Sequence, residues 1–344
     1  MSSGTAALVF CLLNLRARYP HISQPAVIIP GYCCPDLLSA AQGAGYTPVV
    51  VDIGATDPGY ELQALEAAMG PNTLAVIAVN FLGVAERLLA LRTLMSGFPE
   101  VALIEDNAQW FPPSAEPELV GEYHVFSFGR GKAIGLLGGG LVAVRRDVPI
   151  KVGRLPASAS MGRAWPVKAW LVNQLARPQA FYWLNRLSFL RLGETHYRAF
   201  QGIQGIPTRI RHAFDVNHQH YLSLNGRAEI HYDAVFEALG WNRFEPLTGP
   251  RRGRLLRYPV LCKSPSHRER LLEMLTKAGL GASALYKTEL ARVNGVGSVP
   301  GIVFHGNLPN AAHFAARLLT LPTHEHVSTR ALEQISDVLN AHPE

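Results

Sequence analysis

The sequence is poor in charge: 17% of its 344 residues are Asp, Glu, Lys or Arg. With 48% hydrophobic residues, that excludes a disordered, charge-solvated chain and fits a large buried core. Cysteine is scarce as well. Cys11, Cys33, Cys34 and Cys262 include no pair at the spacing of a zinc site, so no metal site is expected. Reduced thiols in a cytoplasmic protein are the expectation, with Cys33 and Cys34 read as buried small apolar residues. No apolar run is long enough to cross a bilayer. Ala6 to Leu13 is apolar but has no basic residue ahead of it, which argues against a secretory signal and for a buried helix. Internal repeats and low-complexity segments are missing too, which excludes solenoids and propellers.

The charge that is present is uneven. The net value is +6, and between Arg145 and Asp215 twelve Lys or Arg face three acids, Asp147, Glu194 and Asp215. Trp165, Trp170, Phe181, Trp183 and Phe189 lie among those cations. One or two amphipathic helices are expected there. A dimer interface or a substrate lid is the first expectation for this segment. Peripheral membrane contact through residues 160–200 is the second, and nucleic acid is not expected.

The first half alternates helical patterns with short apolar runs. Helices are expected over Thr5–Arg18, Leu37–Ala44, Leu62–Met69 and Ala85–Met95. Strands are expected over Ala26–Ile29, Pro48–Asp52, Thr73–Val79, Val101–Ile104, His124–Phe128 and Gly140–Val144. Continuous apolar strands separated by helices predict an α/β fold, a mainly parallel sheet flanked by helices. Residues 1–225 are expected to form this large domain. Residues 226–344, with a strand near Leu255–Leu261 and helices over Ala228–Leu239, His267–Ala278 and Thr329–Asn340, are expected to form a smaller α+β domain.

Three elements carry chemistry. Ser3-Gly4-Thr5 sits at a helix start, where free amides and the positive dipole end can bind a phosphate. Asp106 and Gln109 stand at the carboxyl end of a strand, where such sheets bind ligands. Ser127-Phe128-Gly129-Arg130-Gly131-Lys132 places a lysine among small residues between two apolar strands. A lysine amine, a strand-end Asp and a phosphate cradle are the parts needed to hold pyridoxal phosphate. Each has a bland reading: an ordinary N-cap, an acid pair at a helix start, and a solvated surface charge. Their occurrence together favours the cofactor.

The order of these motifs resembles the DegT/DnrJ/StrS (sugar) aminotransferases of the fold-type I pyridoxal-phosphate enzymes. Ile104-Glu105-Asp106-Asn107-Ala108-Gln109 is similar to the family's E-D-x-A-Q element, and Ser127-Phe128 to Lys132 to its S-F-x-x-x-K element. Tyr286 and Leu321-Pro322-Thr323-His324 are similar to its small-domain landmarks. The resemblance implies that Lys132 binds the cofactor aldehyde and shuttles protons, and that Asp106 pairs with the pyridine nitrogen. Gln109 would contact the phenolic-oxygen side, Gly4, Thr5 and Ser127 would bind phosphate, and Tyr286 would meet substrate. It also implies a homodimer with sites at the interface, in which Asn225 reaches the partner's phosphate, a small-molecule amino donor such as glutamate, and a keto-sugar acceptor for polysaccharide synthesis. Dehydration, decarboxylation, condensation or a non-catalytic scaffold are the alternatives. There are departures from the family pattern. The sequence starts almost on the phosphate element, so either part of the substrate wall is expected to be missing or the chain start to be shortened. Cys33-Cys34 stand where an aromatic usually stacks on the ring. Leu137-Gly138-Gly139-Gly140 replaces G-E-G-G, and Asn225-Gly226-Arg227 lacks the aromatic of N-x-R.

Overall fold

The computed structural model describes residues 1–113, 119–153, 165–175, 195–241 and 253–343. Of the basic segment's aromatics, Phe181, Trp183 and Phe189 lie outside these residues. A seven-stranded sheet forms the centre. Its strands are β1 (Ala26–Pro30), β2 (Thr47–Val51), β3 (Thr73–Val79), β4 (Ala102–Asp106), β5 (Tyr123–Ser127), β6 (Gly140–Val144) and a short edge strand, β7 (Val303–Phe304). They lie in the order β6-β5-β4-β3-β1-β2-β7. Every pairing is parallel except β5 with β6, where Ser127 faces Gly140. The carboxyl ends of β1, β3, β4 and β5 therefore point one way, and the turn after β5 returns at that end.

The sheet is buried on both faces, as its continuous apolar strands require. Val27 and Ile29 point to one face and pack with helix α1 (Gly4–Arg18) and α2 (Asp36–Gly43). Ile28, Val51, Val76 and Leu103 point to the other, against α3 (Leu62–Ala68) and α4 (Leu88–Met95). Helix α1 lies deep, with Ala7, Cys11, Leu12 and Leu15 fully buried. Its one buried polar side chain, Asn14, is satisfied: Nδ2 donates to Tyr123 Oη at 2.8 Å and to the Pro149 carbonyl at 3.0 Å, and Oδ1 accepts the Lys151 N–H at 2.6 Å. Such pairing is what lets a buried amide be tolerated.

Beyond β6 come α5 (Trp165–Leu175), α6 (Thr208–Ser223) and α7 (Arg227–Leu239). After them, β8 (Arg257–Leu261) pairs antiparallel with β9 (Leu318–Pro322), and α8 (Pro265–Lys277), α9 (Pro309–Arg317) and α10 (Thr329–Ala341) complete the chain. Tyr232 Oη donates to the Pro322 carbonyl at 3.1 Å and Thr323 Oγ1 to the Leu255 carbonyl at 2.9 Å, tying α7 and the segment leading into β8 to the end of β9. The C-terminal part is not confined to this small sheet, because β7 joins the edge of the large one. No helix among the described residues is long and apolar enough to cross a membrane.

Candidate active site

Helix α1 begins at the centre of the site. Ser3 is its N-cap, in extended backbone, and its Oγ accepts the Ala6 N–H at 3.0 Å. The N–H groups of Gly4 and Thr5 have no partner among the described residues. Two free donors at a helix start form an anion cradle. Glycine at position 4 is a packing requirement: a Cβ there would lie 2.8 Å from the Ser127 Cβ and 3.0 Å from its Oγ. The sequence elements holding Gly4 and Ser127, more than a hundred residues apart, therefore touch. The glycine run explains how the chain start reaches this place. The Gly139 N–H donates to the Ser2 carbonyl at 2.8 Å, and a Cβ on Gly140 would lie 2.8 Å from the Gly4 nitrogen. Any residue with a side chain at Gly139, with φ of +100°, would also be strained.

Ser127 closes β5, and the chain then turns through Gly129 to Gly135. Lys132 sits in that turn, half-buried, with its N–H donating to the Gly129 carbonyl at 3.4 Å. Helix α6 covers the hairpin from outside: Phe214 meets Phe128 edge-on at 5.1 Å between ring centroids, and Ile210 lies over Gly139. Part of the basic aromatic segment is thus a cover for the lysine turn.

Asp106 is the last residue of β4, two positions later than the strand end expected from sequence. It is buried, and its Oδ1 accepts the Ala108 N–H at 2.9 Å. Burial pushes its carboxyl up, while the Ala108 N–H and then the Lys132 charge pull it down. Lys132 and Asp106 are therefore close enough to interact as charges. Strand alternation sends the neighbouring Glu105 to the other face, where Oε1 accepts the Val120 and Gly121 N–H groups at 2.6 and 2.9 Å. The acid pair in the sequence divides into one structural carboxylate and one that faces the lysine.

Gln109 is buried beside them. Its Oε1 accepts the Leu82 N–H at 2.8 Å, and its Nε2 donates to Tyr286 Oη at 3.1 Å. Tyr286 thus joins the cluster through Gln109. Asn225 does not: it is exposed on the turn between α6 and α7, where its Oδ1 accepts the Arg227 N–H at 3.2 Å.

Three further residues stand near the cluster, of which only Cys34, at the position of the usual stacking aromatic, carried a signal in the sequence. Cys34, half-buried, feels the charges of Asp36, Lys132 and Asp106 and so stands at this pocket; burial pushes its thiol up to about 11. Asp36 accepts the Thr5 hydroxyl proton at 3.2 Å, placing an acid beside the cradle. Arg198 helps to line a cleft of about 300 Å³ that opens next to Ser3, Thr5 and Asp36. These proximities are made by chain folding, and no local spacing announces them.

A profile of the DegT/DnrJ/EryC1/StrS aminotransferase family matches residues 1–161 and 224–340. The chain belongs to that family. A UDP-N-acetyl-3-dehydro-α-D-glucosamine 3-aminotransferase of Acidithiobacillus ferrooxidans is 28% identical over 153 residues, which are 44% of this chain and 40% of that protein. Among solved structures, the Escherichia coli GDP-4-keto-6-deoxy-D-mannose-3-dehydratase with bound hydrated pyridoxal phosphate superposes with a TM-score of 0.71 at 18% identity, over 98% of this chain and 86% of that one. A family aminotransferase of Brucella abortus superposes with a TM-score of 0.68 at 20% identity, over 100% and 85%. These neighbours establish the fold, fold-type I with a mainly parallel sheet, and include enzymes of two reaction types.

Proposed function

We propose that this chain is a pyridoxal-phosphate aminotransferase that moves an amino group from a donor such as glutamate to a keto sugar. The observation that carries the reading is the convergence on Lys132: a buried carboxylate, Asp106, within its field, and a helix start with two free N–H groups across from Ser127. The residues fit the cofactor. Gly4, Thr5 and Ser127 would hold its phosphate. Asp106, buried at a cost that a cationic partner offsets, would keep a proton on the ring nitrogen. Gln109 would orient the ring from its phenolic-oxygen side.

Bound there, the cofactor supplies an aldehyde carbon that exchanges amines and a ring that draws electrons from the substrate α-carbon. Lys132 Nζ would be the group that moves the proton at the substrate α-carbon in the donor half-reaction and delivers one to the acceptor carbon in the other. Helix α6, over the lysine turn, keeps water from the transfer. The acceptor we infer is a keto group on a nucleotide- or lipid-linked sugar, which the amine-transferring relative supports. Two copies would share each site, with Asn225 of each reaching toward the other's phosphate cradle.

The test is single turnover with glutamate. The reconstituted protein should lose its visible band on adding glutamate alone and release one equivalent of 2-oxoglutarate. A band that persists with glutamate and every other amino donor would overturn this reading, whereas a keto-sugar product that has lost a hydroxyl and gained no amino group would favour dehydration, the reading supported by the Escherichia coli neighbour.

A membrane role for the basic segment belongs to the same proposal. No Asp or Glu occurs between Asp147 and Glu194, while seven Lys or Arg do. Within it, helix α5 exposes Val167, Trp170 and Leu171 by 60%, 60% and 46%. Apolar groups among cations suit an anionic lipid surface. Flotation with anionic vesicles, lost in Trp170→Ser with Leu171→Ser, would support it. Equal absence of binding by both proteins would remove it.

A further inference from the structure

The Gln109 amide is held at both ends. Its carbonyl oxygen takes the Leu82 N–H at 2.8 Å, and its nitrogen gives one proton to Tyr286 Oη at 3.1 Å. Fixing the oxygen fixes which way the NH2 group points, and with one proton on Tyr286 the other is free for a ligand.

The backbone on both sides of this clamp is unusual. Leu82 has φ of +55° and Leu285, immediately before Tyr286, also has φ of +55°. A leucine in the left-handed region is strained, and such strain persists only where surrounding contacts over-determine it. At Leu82 the strained turn delivers its own N–H to Gln109. At Leu285 it delivers the next side chain. The Leu285 N–H is tied to Ser283 Oγ at 3.0 Å, and the Tyr286 carbonyl takes the Tyr32 hydroxyl proton at 3.0 Å. Tyr286 is half-buried against Tyr32, edge-on at 5.5 Å, within the electrostatic reach of Asp106. Its phenol therefore lies on the Gln109 amide, at the Asp106 end of the cluster.

We infer that Tyr286 is a positioning residue that acts through Gln109: its phenol clamps the amide so that the remaining N–H meets the anionic oxygen of the cofactor ring. This rests on the cofactor reading above and adds to it. The small sheet's arm, residues 283–290, then tunes the ring rather than only closing over substrate. A donor aimed at an anionic oxygen lowers that oxygen's proton affinity. Loosening the clamp should raise it.

The experiment is a pH titration of the visible band of the protein loaded with pyridoxal phosphate. Tyr286→Phe keeps the ring packing and removes the clamp. The band's midpoint should rise by roughly half to one pH unit. Gln109→Ala should raise it as well, and the double variant should rise no further than the larger single shift, because both changes break one path. An unshifted Tyr286→Phe, or a double shift equal to the sum of the singles, overturns the inference. Should Tyr286→Phe fail to fold, fluorotyrosine at position 286 keeps the ring and changes only the phenol's acidity. Its midpoint must then leave the wild-type value, and an unmoved midpoint again overturns the clamp. A wild-type protein that develops no band overturns the cofactor reading itself, whereas an unshifted variant with a normal band overturns only the clamp.

Discussion

Asp52, at the end of β2, caps helix α9 from across the molecule. Its Oδ1 accepts the Ala311 N–H at 2.9 Å and its Oδ2 the Asn310 N–H at 3.0 Å. Asn310 answers with a bond from Nδ2 to the Ile53 carbonyl at 2.9 Å. A helix whose first residue is Pro309 and whose own N-cap residue, Leu308, makes no side-chain cap thereby receives its cap from the large sheet. Asp52→Ala should cost about 1–2 kcal/mol of stability, the usual worth of an N-cap carboxylate. Denaturant unfolding of the two proteins measures this. A loss under a few tenths of a kcal/mol would show that water replaces the cap at no cost.

Gly4→Ala puts a methyl group 2.8 Å from the Ser127 Cβ. Overpacking of this kind costs about 1–3 kcal/mol. The expected result is a lower melting temperature that Ser127→Gly, made in the same chain, restores. Failure of the second change to restore it would place the strain elsewhere.

Asp36 and Cys34 are expected to weaken cofactor retention. The Asp36 carboxylate stands beside the cradle proposed for a dianion, and like charges disfavour binding. Asp36→Asn should tighten pyridoxal phosphate several-fold in equilibrium dialysis, less so at high salt. Cys34→Phe should tighten it too, by roughly 0.5–1.5 kcal/mol, if an aromatic face at this position can stack on the ring. Unchanged affinity in both variants would mean that the ring and phosphate lie away from these two side chains.

Glu86 gives a pH signature unrelated to catalysis. It is buried, receives the Tyr60 and Arg87 N–H groups at 3.1 and 2.7 Å, and its Nε neighbour Arg87 stands 3.8 Å away, itself paired to Asp57. Burial, the largest effect, raises its carboxyl from 4.5 to about 7. Between these values the folded protein holds a proton that the unfolded chain releases, so stability falls as pH rises from about 4.5 to about 7. The fall is on the order of 3 kcal/mol. Glu86→Gln should remove it. A variant with the same slope as wild type would assign the titration to another group.

Much of the architecture was legible because it is local. Thr73–Val79 and Gly140–Val144 were read to the residue, since both runs are too short for a helix and are rich in Val or Ile. The Lys132 turn and the Asp106 strand end were legible for the same reason. What stayed hidden is what folding brings together. Helix α9 takes its side-chain cap from a distant residue, which leaves Pro309 as its local start signal. Strand β7 is two residues long and gains its identity from pairing with Val49 and Val50. The Gln109–Tyr286 bond joins positions 177 apart in the chain, and Asp36 reaches Thr5 over 31, so neither could be read from spacing.

Covalent trapping tests the central claim most directly. Pyridoxal phosphate is added to the purified protein, the adduct is reduced with borohydride, and the modified peptide is identified by mass spectrometry. The account predicts one pyridoxyl group per chain, on Lys132, and no visible band in Lys132→Ala. Labelling spread over surface lysines, with Lys132 unmodified, would contradict it.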